Sequence, residues 1–188
     1  MDLHIDKYIV FDKNTSAVLP FSAVLVDPRS QQSIDAIFTE PIPLPVYVPP
    51  HTRCLLSTTE VLDVPEGAAG FVTLRSTFAR LGFISPPTVA DPGFRGQLTM
   101  ELFNASNHKI HLQPNEKVWS VILVQLVPGY EDMYKGRYQV QKGLTLPKAL
   151  EPIDPLPSRG AYRQDPKESI SIPRTRADLP GGGLDVRR

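Results

Sequence analysis

The sequence predicts a mainly β fold of the barrel or sandwich kind, with few short helices. Three observations carry this. Short runs of strand length recur along the chain, rich in Val, Ile, Leu and Phe. Turn signals separate them: "PEG" (65–67), "DPG" (91–93) and "QPNE" (113–116). Helical periodicity is nearly absent. Several short strands at such spacing fit a closed or two-layered β architecture.

Taken in order, "YIVFD" (8–12) and "FSAVLVD" (21–27) are the first strand-like runs. "EPIPLPVYVPP" (40–50) cannot be a helix or a central strand, because each proline removes a backbone donor; it reads as an extended connector with an edge strand at most. "CLLSTTEVL" (54–62) and "GFVTLRS" (70–76) are the next strands. "STFARLGF" (76–83) is expected to form one or two helical turns starting at a Ser76 N-cap. "GQLTMELFN" (96–104), "HKIHLQ" (108–113) and "KVWSVILVQLV" (117–127) complete the strands. Beyond about residue 142 the chain turns rich in Pro, Gly and charge, without the apolar pattern of a core. The expected division is a β domain over 1–145 and a Pro/Gly-rich C-terminal tail over 146–188, partly disordered or docking a partner.

Composition narrows the function. Over 188 residues the formal net charge is zero, which gives no basis for a general nucleic-acid or membrane-surface partner. No apolar run approaches the ~20 residues of a spanning helix, and the start lacks the pattern of a signal peptide. The lone Cys54 permits no intrachain disulfide and suits a reducing compartment. A cytoplasmic location is expected. Of the four histidines only His108 and His111 are close in sequence, with no acid or thiolate beside them, so exposed histidines are expected rather than a metal site.

Four segments carry chemistry. In "LTMELFN", Leu98, Met100 and Leu102 alternate with Thr99, Glu101 and Phe103, which puts Glu101 mid-strand on the face opposite the apolar one. A carboxylate there either faces water or lines a cleft, where burial would favour its protonated form and suit it to proton transfer. In "LRSTFARLGF", Arg75, Ser76 and Arg80 surround a strand-to-helix turn. They make either a phosphate-binding set or a capped helix with solvated arginines. Asp91 in "TVADPGFRG" is either a plain turn residue or a ligand contact, with Gly93 and Gly96 allowing close backbone approach. In "YKGRYQVQKG" (134–143), Arg137, Tyr138 and Gln141 could close over a nucleotide, or belong to a polar tail.

In this order, "RSTFARLGF", "DPGFRGQLTMELFN" and "YKGRYQVQ" resemble the dCTP deaminase and dUTPase superfamily, most nearly its dCTP deaminase branch, over about residues 1–145. The family patterns are R-S-S-x-A-R-L-G, then D-P-G-[FW]-x-G-x-[IL]-T-L-E-[LF]-x-N, then K-Y-Q-x-Q. The resemblance implies a distorted β-barrel or jelly-roll-like fold, a homotrimer, and active sites between subunits. It implies dCTP or dUTP as substrate, with Mg2+ carried on the nucleotide phosphates. By resemblance Ser76 and Arg80 hold the triphosphate, with Arg75 beside them among the expected substrate-binding residues. Glu101 activates water and shuttles protons, and Asp91 lies near the deoxyribose and the attacking water. Thr88 and Val89 belong to the loop that contacts the base, and Arg137, Tyr138 and Gln141 to the closing tail. The expected reaction is deamination of dCTP to dUTP and ammonia, with or without onward hydrolysis to dUMP and pyrophosphate. The alternatives are a dUTP diphosphatase only, or an inactive nucleotide-binding trimer. Zinc deaminases need an H-x-E…P-C-x-x-C set, which a single cysteine cannot supply, so a deaminase here is expected to work without zinc.

The chain departs from the family pattern at identifiable points. Pro86 and Pro87 lie where Thr-Ala is usual, Val118-Trp119-Ser120-Val121 replaces I-G-Q-L, and "MDLHID" resembles the family's early I-D-L-R-L strand without the helical segment that normally precedes it.

Overall fold

The computed structural model describes residues 1–13, 26–127 and 133–151. The fold is mainly β. Among the described residues there are ten strands: β1 (Asp2–Phe11), β2 (Ile42–Pro43), β3 (Val46–Val48), β4 (Arg53–Asp63), β5 (Ala68–Leu74), β6 (Phe83–Ile84), β7 (Thr88–Ala90), β8 (Arg95–Asn104), β9 (Ile110–Leu112) and β10 (Lys117–Gln125). Two short helices join them, α1 (Gln31–Ala36) and α2 (Ser76–Arg80). The main sheet runs β6-β8-β4-β1-β10-β5-β7, with β2 also on β1; β3 and β9 form a separate pair.

The sheet curls into a half-barrel because β1 changes partners along its length. Its first residues pair with β10 (Leu3 opposite Trp119), and its last with β4 (Val10 opposite Leu55). Breaks in register after Leu3 and between Ile5 and Ile9 accompany the change, as bulges do where a sheet bends. The concave side is filled by Leu3, Ile5, Leu56, Met100, Leu102, Leu112 and Trp119, all at zero exposure.

A second, smaller cluster lies on the other face. Val10 and Leu55 are buried there beneath Ile34 of α1 and Phe38, with Leu144, Leu146 and Ala149 packed on its edge. Both faces of β4 are therefore covered, which explains its unbroken buried run Cys54–Thr58. Burial of side chains such as Ile34 and Phe38 contributes roughly 1.5–3 kcal/mol each.

Several expectations need adjustment. Helix α2 forms, but Ser76 is its first helical residue; the N-cap is Arg75, extended at φ −69 and ψ 144, with no side-chain capping bond. The guanidinium of Arg75 is turned to the Asp2 carboxylate instead. Helix α1 has no counterpart in the sequence reading. It is one turn and a half, capped by Ser30 and buried through Ile34 alone, which leaves no period to detect. The proline-rich connector holds two short strands, β2 and β3, rather than one. "HKIHLQ" contracts to β9, and most of "FSAVLVD" lies outside the described residues. The segment after residue 142 follows the domain as far as it is described: Pro28 O accepts from Leu150 N at 2.8 Å. Residues 152–188 of the expected tail lie outside the described residues.

Candidate active site

Strand β8 places Glu101. Its even-numbered residues are buried in the core, while Gln97, Thr99, Glu101 and Phe103 alternate onto the outer face and are half-buried. Alternation alone makes this arrangement, since a strand with one apolar face must present its other residues on the opposite side.

Asp91 is set by the turn before β8. Phe94 N donates to Asp91 O at 3.0 Å, closing the turn, and Gly93 takes φ 74, a left-handed conformation suited to glycine. The Asp91 side chain stays exposed. Thr88 and Val89 come from β7, which pairs with β5.

The segment 133–149 crosses this region as a strap. Val140 N donates to Arg95 O at 2.7 Å and Gln97 N to Gln141 O at 3.0 Å, so the strap occupies the edge of β8 that the two-residue β6 leaves free. Side chains reinforce it. Gln141 Nε2 donates to Gln97 O at 2.5 Å, Gly143 N donates to Gln97 Oε1 at 2.6 Å, and Thr145 N donates to Thr99 Oγ1 at 3.0 Å. Gly96 lies directly beneath: a Cβ there would sit 3.0 Å from Gln141 N and O, at a φ of 151.

Between strap, β7 and β8 lies a cleft of about 280 Å³. That is at the lower end of the ~300–1,000 Å³ of small-molecule sites, a size for part of a nucleotide. Glu101, Asp91, Thr88, Val89, Tyr138 and Gln141 all line it. Six of the ten residues singled out in the sequence thus meet at one place. The other four lie elsewhere on the chain. Arg75 is held by Asp2, and Ser76 and Arg80 are exposed on α2. Arg137 points along the strap, its Nη1 donating to Lys148 O at 3.2 Å and Ala149 O at 2.5 Å. The resulting loop folds over Tyr138, whose hydroxyl accepts from Lys148 N at 3.0 Å and whose ring lies 5.4 Å from Lys148 Nζ.

Leu55, Phe94, Thr99, Tyr134, Thr145 and Pro147 also line the cleft and are not among the residues that the sequence singles out. Thr99 was findable, since it shares a face with Glu101 by the period of two. Leu55 was not: it lies directly across from Glu101 on β4, a long-range pairing. Tyr134 stands edge-on to Phe94, centroids 5.6 Å apart, and closes the end of the cleft.

Two titratable groups among the described residues are displaced from their ordinary values. The Arg75 guanidinium, helped by the Ser120 hydroxyl and Lys117, holds the Asp2 carboxyl below the usual carboxylate range against some desolvation. Burial pushes the Cys54 thiol up and leaves it un-ionised. Among the described residues no group of three or more His, Cys, Asp and Glu could hold a metal, and no helix is long and apolar enough to cross a membrane.

The sequence model of the dCTP deaminase-like family matches residues 13–126, more than half of the chain. The chain belongs to that family. A dCTP deaminase of Caldivirga maquilingensis is 35% identical over 140 residues, covering 73% of this chain and 77% of that one. A dCTP deaminase of Sulfurisphaera tokodaii is 41% identical over 101 residues, covering 54% of this chain and 55% of that one. Among solved structures, the 2'-deoxycytidine 5'-triphosphate deaminase of Agrobacterium tumefaciens is similar at a TM-score of 0.49 and 13% identity, over 65% of this chain and 38% of that chain.

Proposed function

We propose that this protein deaminates dCTP to dUTP and ammonia without zinc, with Glu101 as the proton carrier. The observation that carries the reading is the meeting of Glu101, Asp91, Thr88, Val89, Tyr138 and Gln141 in one cleft of a dCTP deaminase-like chain. Hydrolytic deamination adds water to C4 of cytosine, protonates N3, and expels ammonia. A single carboxylate can take the proton from water, give it to N3, and then carry a second proton to the leaving amine. Glu101, half-buried at the cleft and fixed on a ten-residue strand, suits this task. Asp91, at the exposed rim, would face the sugar and the water. Thr88 and Val89 would meet the base edge, with Tyr138 and Gln141 closing from the strap.

The triphosphate would extend beyond this cleft to Arg75, Ser76 and Arg80 of a neighbouring copy in a homotrimer. Two features support such an assembly. Ser76 and Arg80 are exposed and lie away from their own chain's cleft. Val89, Phe71 and Ile122, directly opposite one another on β7, β5 and β10, make an exposed apolar row on one sheet face. Among the described residues, Asp91 and Glu101 are the only acids lining the cleft, a donor set that fits Mg2+ carried by the nucleotide's phosphates rather than caged by protein. The ion would offset phosphate charge and fix the triphosphate's conformation.

The test is incubation with dCTP and magnesium, followed by measurement of ammonia. Ammonia release supports deamination; dUMP and pyrophosphate in addition would show that the reaction runs on. A second reading, a dUTP diphosphatase only, is favoured by Pro86 and Pro87 at the head of the base loop and by the exposure of Asp91. It predicts dUTP cleavage and no ammonia from dCTP. A nucleotide-binding trimer without turnover is favoured by the Arg75 pairing with Asp2 inside the chain, and predicts binding with neither product.

A further inference from the structure

We propose that Ser85 is a positioning residue for Glu101, replacing a ladder bond that Pro86 cannot make; this rests on the deaminase reading above. The need arises from the register of β6 on β8. Phe83 lies opposite Asn104 and Ile84 opposite Phe103. Just before them Ala105 N donates to Gly82 O at 2.9 Å. Hydrogen-bonded pairs alternate along an antiparallel ladder. Gly82 with Ala105 is one such pair, Ile84 with Phe103 is the next, and Pro86 with Glu101 would follow. Proline has no N–H. Glu101 O, facing the β6 side, would therefore lose its ladder donor at the residue whose side chain does the chemistry.

Ser85 fills the gap. Its hydroxyl donates to Glu101 O at 2.7 Å, and it accepts from Trp119 Nε1 at 3.0 Å. Trp119 is fully buried between β1 and β5, so its indole is a fixed donor that holds the Ser85 hydroxyl in one rotamer. The relay runs from core to serine to the backbone of Glu101. Ser85 also begins the loop that leads through Pro86 and Pro87 to Thr88 and Val89. One side chain thus fixes the proton carrier relative to the loop that would read the base. Two departures of this chain, a proline in the base loop and a tryptophan on β10, become parts of one device.

The experiment compares Ser85→Ala, Ser85→Thr and the double variant Ser85→Ala/Pro86→Ala with the wild type and Glu101→Gln. Readouts are kcat and KM for ammonia release from dCTP, thermal unfolding, and emission of Trp119, the single tryptophan. Ser85→Ala is expected to lose about tenfold or more in kcat, as a small misplacement of a reacting group does, with KM within about twofold. Its Trp119 emission should shift as the indole loses its acceptor. Ser85→Thr keeps the hydroxyl and should retain activity. In the double variant, Pro86→Ala restores a backbone N–H for Glu101 O and should recover most of the kcat lost by Ser85→Ala. Full activity in Ser85→Ala, or a double variant no better than Ser85→Ala, overturns the positioning role while leaving the deaminase reading intact. Wild-type protein that releases no ammonia overturns the deaminase reading, and the positioning role with it.

Discussion

Single residues decide more here than their number suggests, and Asp2 is the clearest case. It takes Arg75, Ser120 and Lys117 together, and so ties the start of β1 to the turn before α2 and to β10. Because its folded carboxyl is held below the usual range, its contribution is complete above the ordinary aspartate value of about 3.9 and is lost as pH falls through the lower folded value. Asp2→Asn should therefore be less stable than wild type near pH 6, and the gap should close as pH falls below about 4; melting curves across this range check it. Gly96 is a second case. Gly96→Ala meets both a φ of 151 and the backbone of Gln141, so the strap must shift. A loss of about 1–3 kcal/mol in urea unfolding is expected.

Among the elements, the strap and α1 show what a sequence can and cannot reveal. In residues 134–143, Arg137, Tyr138 and Gln141 read either as groups that close over a nucleotide or as a polar tail, and nothing in them says where they lie. Their place is set by Gln97, whose side chain donates to Thr58 O at 2.7 Å and accepts from Gly143 N. Gln97→Ala should free the strap, speeding amide exchange over residues 139–145 and raising KM for dCTP more than it lowers kcat; the local loss should be about 1–3 kcal/mol. The strands β4, β8 and β10 were legible because period-two patterns and long apolar runs dictate them. Helix α1 was not, because one buried residue, Ile34, gives no period. Its burial in a cluster with Val10, Phe38 and Leu55 predicts a cost of about 2 kcal/mol or more for Ile34→Ala by chemical denaturation. The cleft was half legible. The face of Glu101 follows from alternation, whereas its neighbours Leu55 and Pro147 are brought to it by pairings far apart in sequence.

For the molecule as a whole, a curled sheet with one central carboxylate supports a division of labour. Strand β8 holds Glu101 half-buried on its outer face, and Tyr138 and Gln141 of the strap line the same cleft. Under the proposed function, Arg75, Ser76 and Arg80, which lie outside this cleft, would serve a site on another copy. The most direct test pairs dCTP binding with ammonia release in wild type and Glu101→Gln. The variant is expected to bind dCTP within about threefold of wild type and to release no ammonia, since only the proton carrier is removed. Ammonia release by Glu101→Gln at the wild-type rate, or a wild type that cleaves dUTP but yields no ammonia from dCTP, would contradict this division.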